Sequence, residues 1–262
     1  MRLYYEIALR SFRRAAAYRS AFIAGMLTNA FFGMLRCFVF TAVYTTGSSV
    51  GGFTLPDMIT YTWLTQSLIS IGAAWVGADV MLSIRSGDVV TDLARPWNFY
   101  GYWLSRFLGE RAFNLLVRGT LTYLFGIVLF EAALPEPWAA LSFAVAISLA
   151  LLVSFAYMFI VNLTAFWLID NTGVVLIANI LLGFFSGFLL PISFFPPALA
   201  AVARLLPFQA ITGLPVQIFL GHLTGWTLVG ALLLQVCWAI ILLALGLLLL
   251  RLAVRKVVIQ GG

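Results

Sequence analysis

Residues 226–250 read WTLVGALLLQVCWAIILLALGLLLL, 25 positions without one charged side chain. A helix needs about 20 apolar residues to cross a bilayer, and this stretch exceeds that before Arg251, Arg255 and Lys256 close it. Working back from it, five more apolar stretches lie at about 20–44, 57–82, 112–133, 138–168 and 173–190. The stretch 138–168 is long enough to tilt. The composition agrees: 63% of the 262 residues are apolar and 9% are charged, with a mean hydropathy of +1.06. A soluble domain carries about 25% charged residues. The expected fold is all-α and polytopic, with about six membrane-spanning helices in one domain over 1–262 and no separate soluble domain.

The segment 191–220 breaks the pattern. It stays apolar, yet it holds Pro191, Pro196, Pro197, Pro207 and Pro215, five of the nine prolines in the chain. Proline removes a backbone donor and interrupts a helix, so this stretch cannot be one plain span. It reads as an outer re-entrant hairpin of short helices whose freed backbone groups are shielded by protein.

The charges are distributed unevenly. Residues 1–19 read as an amphipathic helix lying at the membrane interface, with Leu3, Tyr4, Ile7 and Phe12 on one face and Arg2, Arg10, Arg13, Arg14 and Arg19 on another. The segment 83–111 carries Arg85, Asp88, Asp92, Arg95, Arg106, Glu110 and Arg111. With the three basic residues at the end, these segments hold 12 of the 15 Lys and Arg, whereas the loops of the opposite side hold only Arg204. The excess of positive charge predicts that both termini and 83–111 are cytosolic. Arg36 and Arg118 fall inside spans, and Asp79 falls near the cytosolic end of the second. Intramembrane charge is costly and points to function or to a buried partner. Asp79 and Arg118 are expected at similar depth, as an ion pair or as two side chains snorkelling to the interface. Arg36 is expected near the outer leaflet, snorkelling outward or lining a polar path. Gly25, Asn29 and Gly33 form a small-residue stripe in the first span, and Gly183 and Gly187 form a GxxxG in the fifth. Such stripes let helices approach closely.

The chemistry of an enzyme is missing. The sequence has no HExxH or P-loop motif. Cys37 and Cys237 sit singly inside apolar stretches and read as packing residues, not as a disulfide or a zinc site. His222 is the one histidine and has no potential metal ligand close in sequence. The net charge of +6 sits beside apolar spans, where it meets anionic lipid. A basic groove with stacking aromatics is absent, so membrane lipid, and no nucleic acid, is expected as a partner. The start carries arginines through to Arg19 before any long apolar run and does not read as a secretory signal.

Two motifs remain. One is Ser186-Gly187-Phe188-Leu189-Leu190-Pro191, followed by Phe195-Pro196-Pro197, Leu206-Pro207-Phe208 and Gly221; the other is Ile84-Arg85-Ser86-Gly87-Asp88, followed by Leu93-Ala94-Arg95-Pro96. Taken in order with the interfacial helix, the spans and the tail 257–262, they resemble ABC-2 type permeases, the membrane subunits of ATP-binding-cassette exporters, over nearly the whole chain. The resemblance implies a permease subunit that hydrolyses no ATP and binds no cofactor itself. ATP and Mg would be bound by a partner ATPase subunit, which would dock on Arg85, Asp88, Asp92 and Arg95. A second permease, the same chain or a related one, would pair through the first and fifth spans at Gly25, Gly33, Gly183 and Gly187. A bacterial cytoplasmic membrane and an amphipathic, lipid-like, peptide or drug-like cargo are implied. An ion-coupled secondary transporter and a non-transport scaffold are the alternatives.

Overall fold

The computed structural model describes residues 2–46, 49–72, 78–168 and 170–255. The described residues are helical apart from turns and one isolated bridge between Val50 and Phe53. Among the described residues, four helices are long and apolar enough to cross a membrane: Phe22–Val43, Phe99–Phe130, Pro137–Phe166 and Gly225–Val254. Thr172–Phe185 is apolar but shorter. The second expected span is described as three helices, Leu55–Ser67, Ile69–Gly72 and Ala78–Ser86, and residues 73–77 lie outside the described residues. So do 47–48 of the first loop, Lys256 and the tail 257–262.

In chain order the helices are α1 (Arg2–Ala17), α2 (Arg19–Val43), α3 (Leu55–Ser67), α4 (Ile69–Gly72), α5 (Ala78–Ser86), α6 (Val89–Ala94), α7 (Phe99–Phe113), α8 (Thr120–Phe130), α9 (Pro137–Leu163), α10 (Thr172–Phe185), α11 (Pro197–Leu205), α12 (Gly213–Phe219) and α13 (Gly225–Val254). A π-helical turn, Asn114–Gly119, joins α7 to α8 without a break. The helix that carries the third expected span therefore starts at Phe99, 13 residues before the expected 112. Its start is fixed by Asn98, whose side-chain oxygen accepts the Gly101 N–H at 2.8 Å, an N-terminal cap that satisfies an otherwise orphan donor. At 1.5 Å per residue its 32 residues run about 48 Å, well beyond a hydrocarbon core of about 30 Å. The stretch 83–111 thus divides: 83–98 is short helices and turns, and 99–111 is the first part of a long helix.

The core centres on α3, α9 and α13. Small residues on α9, including Ala146, Ala150 and Ala156, are fully buried, and Ala239 and Leu242 of α13 are buried beside them. Buried Gln235 of α13 donates to the Ala146 carbonyl at 3.1 Å and to the Ala210 carbonyl at 2.7 Å, fastening α13 to α9 and to the hairpin region. Helix α3 is capped by Thr54 and Asp57, whose carboxylate accepts the Thr54 N–H at 2.9 Å. Its Trp63 is wholly buried. The indole is cradled between Gly33 of α2 and Gly126 of α8, where an added Cβ would overlap the ring.

The prolines act as the sequence suggests, by ending and starting helices. Pro191 and Pro196 precede short helical turns, Pro197 and Pro207 occupy first turns, and Pro215 lies in the first turn of α12. Proline is tolerated there because first-turn N–H groups have no intrahelical partner anyway.

The molecule has two distinct ends. At one, Asp57 lies 3.6 Å from His222, Phe53 packs on the same imidazole, and Ala133 N–H donates to Thr60 at 2.9 Å. At the other, Arg85 pairs with Asp170 at 3.4 Å and Asp79 with Arg106 at 2.9 Å.

Candidate coupling surface and intramembrane charges

The basic end is built from α1, α5, α6 and the start of α7. Helix α5 ends at Ser86, and Gly87 then takes φ +82°, the left-handed region open to glycine. This turn sends the chain into α6, with Ser86 Oγ donating to Asp88 at 2.7 Å and Ser83 Oγ donating to Asp92 at 3.3 Å. Arg85, Asp88 and Arg95 are exposed, Asp92 is half-buried, and Val89 is the buried anchor beneath them. The Arg95 guanidinium lies 4.8 Å from the Trp97 ring centre, and Trp97 stacks on Tyr102. All four residues singled out in the sequence fall in one compact segment. Arg85 also reaches the turn between α9 and α10. There the Thr172 hydroxyl and backbone N–H donate to Asp170 at 2.6 Å and 2.9 Å. These bonds, with Arg85 nearby, hold the Asp170 carboxyl below the usual carboxylate range.

Helix α1 docks along α7. Tyr4 packs on Gly101 and its hydroxyl accepts the Asn98 N–H at 3.1 Å. Phe12 meets Phe113 edge-on at 5.4 Å. Gly109 faces the Ala8 backbone so closely that any side chain would overlap its carbonyl. Arg14 completes the dock, 3.8 Å from Asp79.

The intramembrane charges take other partners than expected. Asp79 and Arg118 do not pair: Asp79 is taken by Arg106 and Arg14. Arg118 instead reaches α2, donating to the Gly25 carbonyl at 3.0 Å and to the Asn29 side-chain oxygen at 3.1 Å. Asn29 in turn donates to the Gln66 carbonyl at 3.2 Å. Arg118 lies in the π-helical turn, and such turns are frequent at functional sites. Arg36 is half-buried and turned onto the end of α10. Its guanidinium donates to the Leu189 carbonyl at 2.7 Å, to the Phe188 carbonyl at 3.1 Å and to Thr65 Oγ1 at 3.3 Å. Helix α10 ends at Phe185, so carbonyls of this turn lack helical donors. An arginine is the residue able to serve several at once.

The glycine stripes need correction. Gly25 and Gly33 face their own chain: a Cβ would lie 2.7 Å from the Arg118 guanidinium at one and 2.8 Å from the Trp63 ring at the other. Neither face is free for a second permease. Gly187 lies beyond the end of α10 at φ +82°, so it is a helix-stop glycine and not half of a GxxxG face. Its carbonyl accepts a hydrogen bond from the buried Tyr61 hydroxyl. Gly183 alone of the four is open, with nothing within 4 Å of an added Cβ.

Among the described residues no three His, Cys, Asp or Glu side chains gather as a metal-binding group. A family model described as ABC-2 family transporter protein matches residues 31–261. The chain belongs to the ABC-2 transporter family. It is a multi-pass membrane protein with a permease role in an ABC transporter, a family whose ATPase usually resides in a partner. No curated protein matches it. Within this ABC-2 permease the sequence reading missed Arg106, which joins Asp79 at 2.9 Å and lies 4.6 Å from the Trp103 ring centre. It also missed Gly101 and Gly109. Their spacing of eight, with Ser105 between them, was a legible small-residue stripe facing α1.

Proposed function

We propose that the chain is the membrane-spanning half of an ATP-driven exporter, with ATP and Mg bound by a separate ATPase subunit that docks on the segment 83–98. The observation that supports this reading is the fold of that segment. Two short helices hinge at Gly87 and present Arg85, Asp88 and Arg95 to solvent, beside α1 and the Asp170 turn. Mixed charges on a short rigid element suit a polar docking surface that must hold and release through a cycle. ATP-driven closure would press on α5 and α6 and, through Asp79 and Arg106, on the long helix beginning at Phe99. That pressure has to favour one of two packings of the spans.

On this reading the end carrying α1, 83–98 and Asp170 is cytosolic, as its excess of arginine favours, and α1 lies at the interface. The proline-broken stretch 191–220 forms the outer hairpin. The chain sits in a bacterial cytoplasmic membrane and pairs with a second permease, the same chain or a related one, through α10, whose Gly183 face is open. The cargo is amphipathic: lipid-like, peptide or drug-like. Co-expression with a cognate ATPase subunit tests the reading. Asp88→Arg and Arg95→Glu are expected to lower the co-purifying ATPase at least tenfold while leaving the permease monodisperse. Undiminished retention by both variants would refute the docking surface.

A further inference from the structure

Two cavities follow one another along the crevice between α2 and the helix Phe99–Phe130. The first, about 220 Å³, is polar and opens beside α1; its charged lining is Arg14, Arg106, Arg118 and Glu110, with Asn114 and Tyr18. The second, about 420 Å³, is apolar and lined by Met26, Leu27, Leu121, Phe125 and Val128 among others. They are one helical turn apart, since Phe22 of the first precedes Met26 of the second by four residues, and Arg118 precedes Thr122 by four. The Arg118 guanidinium lies at their junction, pressed on Gly25, and its Nε–H has no acceptor among the described residues.

The charge balance of the polar cavity favours an anion. Asp79 offsets part of Arg14 and Arg106, and Glu110 contributes a second negative group. Ser11, Arg14 and Arg106 also line a neighbouring groove of about 740 Å³, together with Arg2, Arg10 and Arg95 and one further carboxylate, Glu6. Six arginines thus face three carboxylates. The site lies where α2 enters its apolar stretch at Phe22, the depth at which lipid phosphates meet the hydrocarbon.

A compact cationic cavity leading into an apolar groove complements the shape and polarity of one anionic phospholipid. We propose that this crevice binds a single anionic phospholipid, its phosphate on Arg118 and Arg106 and one acyl chain along the α2–α8 groove. Guanidinium groups suit this task because they bind phosphate oxygens with forked geometry. The proposal requires only that the chain lie in a membrane, so it stands or falls without the ATPase partner.

Native mass spectrometry of the delipidated full chain in detergent, titrated with phosphatidylglycerol and with phosphatidylcholine of the same acyl chains, tests it. One phosphatidylglycerol is expected to bind about tenfold more tightly than phosphatidylcholine. Arg118→Gln should abolish that preference. Gly25→Ala, which keeps every charge but displaces the guanidinium, should weaken it, so the proposal stays testable if Arg118→Gln fails to fold. Val128→Trp, filling the groove, should weaken both lipids. Equal affinity for the two lipids, or a preference unchanged in Gly25→Ala, would overturn the proposal. Displacement of the lipid by millimolar inorganic phosphate, with no effect of Val128→Trp, would overturn it in favour of a free-anion site.

Discussion

Replacing Arg36 by Met removes a cation that holds the turn after α10 to α2. The magnitude follows from its partners. The Leu189 and Phe188 carbonyls, at 2.7 Å and 3.1 Å, would lose their donor in a setting with little water. An unsatisfied buried polar group costs about 1–3 kcal/mol, so two cost about 2–6 kcal/mol. The 3.3 Å bond to Thr65 is long, and Thr65 keeps its own bond to the Thr62 carbonyl at 2.9 Å, so its loss adds little. Against this, placing arginine within a span costs about 2.5–3.5 kcal/mol at the bilayer centre, and less for a half-buried side chain toward one end. The net loss expected for Arg36→Met is about 2 kcal/mol. Arg36→Lys keeps the charge but offers one compact ammonium for two carbonyls, and should fall between Met and wild type. SDS titration of the protein in mixed micelles measures the difference. Labelling of a cysteine placed at the exposed Leu189 reports whether the turn loosens. If Arg36→Met were within about 0.5 kcal/mol of wild type, or if Lys and Met behaved alike, the carbonyl-clamp argument would fail.

Gly187→Ala puts a Cβ at φ +82° within 2.9 Å of the Tyr61 hydroxyl and 3.2 Å of the Gly213 Cα; left-handed backbone costs about 1–2 kcal/mol and overpacking about 1–3 kcal/mol, so a loss of about 2–5 kcal/mol is expected in the same titration. Gly109→Ala should lift α1 from α7, seen as faster tryptic cleavage at Arg10, Arg13 and Arg14; an unchanged cleavage rate would contradict the dock. The Asp170 carboxyl should titrate below about 3.9, the ordinary aspartate value. Because its pKa is depressed on folding, the bonds to Thr172 and Arg85 persist above the ordinary value and are lost as pH falls through the depressed one. A carbon-13 carboxyl titration checks this, and Thr172→Val should move the midpoint upward.

The apolar stretches and the prolines were legible because both are composition effects. A charge-free run of 25 residues has few options other than a buried or membrane helix, and a proline acts on its own backbone wherever it stands. The start of the helix Phe99–Phe130 was not legible from hydropathy, because Arg106, Glu110 and Arg111 made residues 99–111 look like loop. What makes them helix is local and tertiary: the Asn98 cap, and Asp79 arriving from α5 to neutralise Arg106. The Asp79–Arg118 pair failed for a related reason. Depth along the membrane is readable from sequence, but azimuth around a helix is set by packing, and packing turns Arg118 toward Gly25 and Asn29.

The same distinction governs the glycines. A small residue on a spanning helix announces that something comes close, without saying what. Here Gly25 admits a guanidinium, Gly33 and Gly126 admit an indole, and Gly109 admits a backbone. Each close approach is spent inside the chain, so none can also seat a second permease without dismantling the core. Any pairing with a second permease would then use a face that is apolar, exposed and unspent. Helix α10 offers one, with Leu176, Ile177, Ile180 and Phe184 exposed around the open Gly183. Its 14 residues rise about 21 Å, short of a hydrocarbon core of about 30 Å. The rest of that depth has to be covered by the turn that Arg36 clamps. A partner packed on α10 would therefore bear on the Arg36 clamp as well. Weakening the clamp should weaken pairing, although Arg36 itself need not touch the partner. Arg36→Met is accordingly expected to shift any dimer toward monomer by analytical ultracentrifugation in detergent, whereas Gly33→Ala, which crowds only Trp63, should lower stability with pairing intact.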